Sequence, residues 1–373
     1  MSTFNLRKEE EIINRLRSLY ELYGYAQFKM SKFEEYDLYV RNKDFLISDG
    51  IITFTDTNGK LLALKPDVTL SIIKNFRASE GVVDKVYYNE NVYRISGGTH
   101  SFKEILQLGV ECMGHVDTYC QFEVLSLAAK SLSLLSDEVV LDVSDFGILT
   151  DLLESFGINT SLKKEILVAI GEKNVHDLER ICANGGISAY DTGILTELVR
   201  LYGNPTEVLP RIKTILSDKI DSEKLNVLET LCKSLCDSGF SNMVRIDFSI
   251  VNGVDYYNGI VFKGFVKGIP SAVLSGGQYD GLMKKMQRNA GAIGFALYLD
   301  LMEDLLIEKK TFDVDSLIVY TDNVSFFDID LILKKLISEG KTVLAQRSVP
   351  AKIKYKEMWK LTESGVELLE RNA

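Results

Sequence analysis

The chain has 373 residues, of which 46% are hydrophobic and 10% aromatic, so it is long enough to bury a sizeable core in about two domains. Its formal net charge of −10 argues against a broad nucleic-acid-binding surface. The first residues, MSTFNLRKEEEIINRL, contain no apolar signal sequence, and no stretch approaches the roughly 18 apolar residues of a membrane span. We therefore expect a cytoplasmic protein without a membrane segment.

Cysteine and histidine usage gives no indication of a metal site. The five cysteines are scattered without CxxC pairs, and the chain has only three histidines. Zinc sites and disulfide frameworks normally show regular spacings of these residues. We expect no metal and no disulfide, but reduced and mostly buried thiols at Cys112, Cys120, Cys182, Cys232 and Cys236.

The first hundred residues alternate helix and strand signals. An amphipathic helix ends near Gly24 and is apolar at Ile12, Ile13, Leu16, Leu19, Tyr20 and Tyr23. Two short strands follow, at about 44–54 and 60–64. In LKPDVTLSIIKNF, Pro66 suits the start of a helix and Asp67 suits its first turn.

Two antiparallel strands come next, KVYYNENVYRI and EILQLGVECMG, joined by the loop SGGTHSF. Alternation along a strand divides the second segment into two faces. One face is apolar and consists of Leu106, Leu108, Val110 and Cys112. The other carries Gln107 and Glu111 on either side of Gly109, which has no side chain.

The remaining patterns predict a fold of the α+β class. Helical patterns fill about 145–240, of which about 160–240 is predicted as a helical insertion. Strands return with MVRIDFSIV and NGIVFKGFV, and AIGFALYLDLMEDLL is interpreted as an apolar helix. A separate βαβ unit follows, SLIVY, SFFDIDLILKKLISEG and KTVLAQRS, with Ser325 and Asp328 as a capping box. We expect an antiparallel sheet flanked by helices and interrupted by a helical insertion in residues 1–311, and a small α/β unit in 312–373.

Four segments point to a known family. They are LKPDVT (64–69), EILQLGVE (104–111), NGVDYYNGIVF (252–262) and LSGGQYDGL (274–282). In this order and spacing, over roughly residues 1–310, they closely resemble the catalytic core of histidyl-tRNA synthetase, a class II aminoacyl-tRNA synthetase. The combination of DYYxGxVF and SGGxYDGL is specific, whereas LKPDVT alone is weak.

The resemblance implies a pocket for free histidine. Asp67, Thr69 and Gln107 match the family positions that hold the amino group. Glu111 and Tyr257 match those that bracket the imidazole, Tyr279 matches the wall, and Gly109 leaves room between Gln107 and Glu111. Carboxylates, amides and a phenol suit these groups because the ligand offers an ammonium and a two-nitrogen ring.

From the residues alone, simpler interpretations of the same positions stay open. Gln107 and Glu111 are also typical of the solvent face of a one-sided sheet. Tyr256 and Tyr257 are compatible with two core aromatics, SGGQYDG with a glycine-rich turn, and Asp67 with a helix start.

The sequence departs from an active synthetase at the positions that the family uses for ATP. Arg94 is present, but Ser96 replaces its acidic companion, and Asn252 stands where the family has an arginine. Leu301 replaces the arginine of the third class II motif, and Tyr298 replaces a small residue nearby. Arginine forks stabilise reacting phosphates, so we expect adenylation to be lost.

The sequence keeps the residues of a histidine pocket but lacks those of the ATP site, and its C-terminal unit is shorter than the family's anticodon-binding domain. In this combination it resembles the regulatory subunit family of ATP phosphoribosyltransferase. That resemblance implies a non-catalytic protein without a cofactor, required for the first step of histidine biosynthesis. It also implies a homodimer, formed through the N-terminal helix and the segment that follows it, within a hetero-oligomer with a short-form catalytic subunit. L-histidine is the candidate effector, and no nucleic acid is expected as a partner.

Two alternatives belong to other functional classes. A residual aminoacyl-transferring enzyme requires other cations in place of those absent at Asn252 and Leu301. A transfer-RNA-binding regulator requires a basic surface, which the acidic balance disfavours.

Overall fold

The computed structural model describes residues 8–43, 46, 50–77, 82–95, 101–220, 222–251, 256–302 and 311–372. The chain divides into two compact units. The larger is Ile12–Asp304, and the smaller combines Met1–Glu11 with Leu305–Ala373. Ser96 and Asn252, two of the positions singled out in the sequence, lie outside the described residues.

Twelve strands are described in the larger unit. They are β1 (Ala26–Gln27), β2 (Phe33–Glu35), β3 (Thr53–Thr55), β4 (Leu61–Leu64), β5 (Val83–Ile95), β6 (Phe102–Gly114), β7 (Val139–Asp145), β8 (Tyr202–Gly203), β9 (Val244–Asp247), β10 (Ile260–Val266), β11 (Leu274–Gln278) and β12 (Gly291–Tyr298). Nine form one sheet in the order β1-β5-β6-β12-β11-β10-β7-β9-β8, and β2-β4-β3 form a small second sheet. The large sheet is antiparallel except at β1/β5 and β7/β9, which are parallel pairs.

Among the residues that the structure describes, eleven helices lie wholly or mostly in the larger unit; the first of them begins at Lys8, in the part assigned to the smaller unit. They are α1 (Lys8–Leu22), α2 (Tyr36–Arg41), α3 (Thr69–Asn75), α4 (Thr118–Leu135), α5 (Phe146–Ser155), α6 (Thr160–Gly171), α7 (Val175–Asn184), α8 (Ala189–Arg200), α9 (Pro205–Leu216), α10 (Ser222–Leu235) and α11 (Asp280–Lys285). Helices α6 to α10 fall in the stretch predicted to be helical, and a short π-helical turn, Cys236–Phe240, leads from them to β9.

Strands β5 and β6 pair along their whole length, as the sequence predicts, and β6 has two different faces. On one face Leu108, Val110 and Cys112 are fully buried. Helix α4 covers this face of the sheet, where Leu132 packs on Gly264 of β10. The opposite face is the one that carries Gln107 and Glu111, and it bounds a cavity.

The segment AIGFALYLDLMEDLL is not a single helix, so that prediction is wrong. Gly291–Tyr298 forms the central strand β12 between β6 and β11, and Asp300–Met302 is a single 3₁₀ turn. A short apolar run fits a doubly buried strand as well as a buried helix. The one glycine of the run, Gly294, and Gly291 immediately before it disfavour a helix and allow close strand packing.

A buried ion pair attaches the LKPDVT segment to β5. The Lys65 side chain is 1% exposed, and its ammonium contacts the Glu90 carboxylate, which is 17% exposed. The backbone N–H of Tyr93 donates to the Lys65 carbonyl at 2.9 Å. These contacts fix the chain immediately before the predicted site residues Asp67 and Thr69.

Helix α3 begins later than predicted. It starts at Thr69, whereas Pro66 precedes the helix and its carbonyl accepts from Arg94 Nε at 2.9 Å. Asp67 Oδ1 accepts from the backbone N–H of Leu70 at 2.9 Å, so this carboxylate satisfies a free N–H of the first turn. Asp67 therefore stabilises the start of the helix, although it precedes the first turn in which the sequence pattern placed it.

The smaller unit contains a four-stranded sheet and one described helix that follows its first strand. The elements are β13 (Val314–Tyr320), α12 (Phe326–Ser338), β14 (Val343–Gln346), β15 (Tyr355–Thr362) and β16 (Gly365–Arg371), with strand order β14-β13-β15-β16. Ser325 caps α12 through the N–H of Asp328, as predicted. The β15–β16 hairpin is an addition to the predicted βαβ pattern.

Candidate amino-acid site

A cavity of about 500 Å³ lies on the polar face of the large sheet. All six predicted histidine-site residues line it: Asp67, Thr69, Gln107, Glu111, Tyr257 and Tyr279. They come from α3 and the segment before it, from β6, and from the segments that flank β10 and α11. The structure thus brings together residues that are up to 212 positions apart in the chain.

Glycines on two neighbouring strands form the floor at one end of the cavity. Glu111 of β6 lies opposite Gly294 of β12, which lies opposite Gly277 of β11. A Cβ at Gly294 would overlap the Glu111 carboxylate, and a Cβ at Gly277 would lie 2.7 Å from Cδ1 of Tyr257. Only glycine leaves the carboxylate and the phenol ring in these positions, so SGGQYDG is more than a turn.

The Glu111 carboxyl is held from both sides. Thr69 Oγ1 donates to Oε1 at 2.8 Å, and the Tyr279 hydroxyl donates to Oε2 at 2.6 Å. Burial raises the pKa of Glu111 to about 8, although both hydrogen bonds oppose this effect. Glu111 therefore does not face solvent on a one-sided sheet; its carboxyl is fixed in orientation at the wall of the cavity.

The raised pKa of Glu111 predicts a pH-dependent stability. The folded chain loses this proton near pH 8 and the unfolded chain near 4.5, so the folded state binds more protons between these values. The free energy of unfolding must then fall as pH rises through that window. Relative to Glu111→Gln, the wild type should lose on the order of 3 kcal/mol between pH 5 and pH 8.

Urea denaturation of both proteins at the two pH values, followed by circular dichroism, measures this difference. The other carboxyls with a raised pKa, Asp67, Asp142, Asp145 and Asp300, are present in both proteins, so their contributions largely cancel. A difference in stability that is the same at pH 5 and pH 8 would contradict the prediction.

Gly109 has a different role from the predicted one. A Cβ there would overlap the Tyr88 hydroxyl and the carbonyl oxygen of Phe295. The space between Gln107 and Glu111 is therefore filled by Tyr88, whose hydroxyl donates to the Phe295 carbonyl at 3.5 Å. Burial raises the pKa of Tyr88, so it lines the cavity as a neutral phenol.

Three tyrosines form an aromatic wall of the cavity. The ring centroids of Tyr256 and Tyr257 are 4.7 Å apart, and those of Tyr256 and Tyr279 are 5.7 Å apart. Tyr256 and Tyr257 are half-buried and both line the cavity, so neither is simply a core aromatic. Such a wall contacts a planar ring closely and excludes water from it.

The two described positions of the expected ATP site, Arg94 and Leu301, differ in their relation to the cavity. Arg94 lines the cavity, whereas Leu301 lies in the 3₁₀ turn, is 41% exposed and is not among the lining residues. Sequence reasoning missed Lys263 and Ser275 as lining residues and did not assign Tyr298 to the amino-acid site. The alternation of β12, read as a strand, would have placed Tyr298 on the same face as Gly294.

No group of three or more histidine, cysteine or acidic side chains in the described ranges is arranged to hold a metal ion. None of the helices described is long and apolar enough to cross a membrane. The cavity on the large sheet is the candidate functional site, because it brings the six predicted residues together.

Comparison with known proteins defines the class. A family model described as histidyl-tRNA synthetase matches residues 4–302. By structure, the chain is similar to a histidyl-tRNA synthetase from a Nostoc species, with a TM-score of 0.76, 17% identity, and coverage of 96% of this chain and 88% of that one. The fold is that of a class II aminoacyl-tRNA synthetase. The chain belongs to the histidyl-tRNA synthetase family.

Several relatives within this family are named ATP phosphoribosyltransferase regulatory subunits. The chain is 25% identical to an ATP phosphoribosyltransferase regulatory subunit of Oceanobacillus iheyensis, over 91% of this chain and 84% of the relative. It is 29% identical to one of Alkaliphilus metalliredigens, over 79% and 76%. A structure from Bacillus halodurans, titled an ATP phosphoribosyltransferase regulatory subunit/histidyl-tRNA synthetase, aligns with a TM-score of 0.79 at 23% identity, over 95% and 94%.

Proposed function

We propose that this chain is a regulatory subunit of ATP phosphoribosyltransferase. It acts on a separate short-form catalytic subunit in the first step of histidine biosynthesis and performs no transfer reaction itself. The names of the relatives described above support this function. A structure titled an ATP phosphoribosyl transferase (HisG:HisZ) complex, from Thermotoga maritima, also shares the fold, with a TM-score of 0.62 at 20% identity over 80% of this chain.

The observation that carries the proposal is a cavity of about 500 Å³ lined by all six residues that are predicted to bind histidine. In the proposed complex, Asp67, Thr69 and Gln107 hold the ammonium group, while Glu111 and Tyr257 bind the two ring nitrogens. The two hydroxyl donors on Glu111 support this assignment, because they orient the carboxylate before a ligand arrives. A preorganised acceptor binds with less loss of conformational entropy.

The absence of catalysis is proposed from the cations that the sequence lacks. Leu301 and Asn252 stand where the family has arginines, and neither side chain can pair with a phosphate. Each lost contact to a reacting phosphate costs on the order of 3 kcal/mol of transition-state stabilisation, so two predict a loss of about 10⁴-fold.

Histidine bound to this chain can regulate a partner only if its binding is coupled to a change between two states of the assembly. It must bind the inhibited assembly more tightly than the active one, because a ligand with equal affinity for both shifts no equilibrium. We propose that the cavity on the large sheet is this effector site, and that the working assembly contains a homodimer of this chain together with catalytic subunits.

The test combines two assays of the purified chain. The chain should activate a short-form catalytic subunit from the same organism, measured as formation of phosphoribosyl-ATP, and L-histidine should reduce that activity. The chain alone should not catalyse histidine-dependent exchange of pyrophosphate into ATP. Exchange above background would indicate a residual synthetase, and failure to activate the catalytic subunit would overturn the proposed function.

A further inference from the structure

Strand β12 changes from small to large side chains along the face that bounds the cavity. Gly294, Ala296 and Tyr298 lie opposite Glu111, Gly109 and Gln107 of β6, and directly opposite residues share a face. Gly294 and Ala296 add little side-chain volume to the floor, and the Glu111 carboxylate lies against Gly294, whereas the half-buried Tyr298 extends into the cavity lining. Of these three residues, Tyr298 is therefore the one that bounds the cavity with a large side chain of its own.

Arg94 lies at the Tyr298 end of the cavity. Its Nε is fixed by the Pro66 carbonyl at 2.9 Å, and its positive charge acts directly on the Tyr298 hydroxyl. Burial raises the pKa of Tyr298, and the guanidinium partly opposes this, so the phenol stays protonated and can donate a hydrogen bond. A hydroxyl donor and a guanidinium meet at one end of the cavity, beside the Gln107 amide.

The proposed position of the ammonium group determines which ligand group reaches this end. Gln107, which the proposed function assigns to the ammonium group, lies directly opposite Tyr298. The α-carboxylate is bonded to the same carbon atom as the ammonium group, so it approaches Tyr298 and Arg94. Charge-assisted hydrogen bonds from a phenol and a guanidinium suit a carboxylate.

We propose that Tyr298 is the end wall of the amino-acid site and, with Arg94, makes the site selective for a free α-carboxylate. Amino acids whose carboxyl group is extended as an amide or an ester are excluded by the phenol ring and by the loss of the negative charge. This inference deepens the proposed function and rests on it, because it takes histidine as the ligand.

Calorimetric titration with L-histidine and with L-histidinamide tests the proposal. The wild type should bind L-histidine at least about 50-fold more tightly than the amide. The amide lacks the charge-assisted contact of the carboxylate, and its additional group is crowded by the Tyr298 ring. Tyr298→Ala opens the end wall and should reduce this preference about tenfold. Tyr298→Phe keeps the wall but removes the donor, so it should weaken L-histidine about tenfold and still exclude the amide.

Tyr20→Phe is the matched control, because Tyr20 is a buried tyrosine with its own hydroxyl partner, Ser131 at 3.0 Å, outside the cavity lining. It should leave both affinities unchanged. If the wild type binds L-histidine but Tyr298→Ala and Tyr298→Phe keep its full preference, the end-wall role is wrong while the proposed function stands. If the wild type does not bind L-histidine, the effector site and the end-wall role both fail.

Discussion

Replacing Glu111 by alanine should abolish measurable binding of L-histidine. The substitution removes a buried carboxylate that the structure holds between two hydroxyl donors. A hydrogen bond to a charged group is worth about 1.5–3 kcal/mol, and the unpartnered Thr69 and Tyr279 hydroxyls add to the loss. We expect the dissociation constant to rise by at least about 100-fold in a calorimetric titration at pH 8.5, above the pKa of the Glu111 carboxyl.

Glu111→Gln separates charge from shape in the same experiment, because the amide fills the same space without a negative charge. It should lower the affinity by about 10- to 100-fold. Glu123→Gln is a matched control: Glu123 is also a buried carboxylate with a tyrosine donor, Tyr25 at 3.1 Å, but it lies on α4. Equal losses in Glu111→Gln and Glu123→Gln would show a general effect of destabilisation and would remove Glu111 from the site.

Glu90→Gln should cost about 3–5 kcal/mol of unfolding free energy. The substitution leaves the ammonium of Lys65 buried without its counter-charge, and breaking one side of a buried pair is far more costly than breaking an exposed one. Urea denaturation at pH 7 measures the change. The LKPDVT segment should also lose its fixed position, so histidine affinity should fall although Glu90 is not among the cavity-lining residues.

Glu35→Gln provides the comparison, because the Lys60–Glu35 pair has side chains that are 64% and 59% exposed. Its loss should cost less than about 1 kcal/mol. The double variant Lys65→Met/Glu90→Leu should recover much of the stability, since a buried ion pair can often be replaced by apolar residues. A Glu90→Gln cost no larger than that of Glu35→Gln would contradict the structural role of the buried pair.

The sequence predicts the part of the fold that has regular periodicity. The alternation of EILQLGVECMG identifies β6, its two faces and its pairing with β5, because one face is buried against α4. The capped helix of the smaller unit is also predicted at the correct residues, since Ser325 and Asp328 interact locally. Family resemblance, rather than periodicity, is what brings four distant segments into one expected site.

The missed features depend on contacts between segments that are distant in the chain. Strand β12 is hydrophobic on both faces, so its pattern cannot be distinguished from that of a buried helix until β6 and β11 are known to flank it. The role of Gly109 depends on Tyr88 from the neighbouring strand. The β15–β16 hairpin of the smaller unit mixes charged and apolar residues around a short turn, which obscures its period of two.

In the cavity, the glycines of the floor and the side chains of the walls have separate roles. Gly277 and Gly294 have no side chains of their own, and the Tyr257 ring and the Glu111 carboxylate lie against them, so a substitution at either glycine displaces a binding group instead of changing which ligand is accepted. New specificity must arise in the walls, which come from α3, the 256–257 segment, Tyr279 and the end of β12. Random mutagenesis should therefore yield variants with altered ligand preference at wall positions, while substitutions of the two floor glycines should yield only inactive chains.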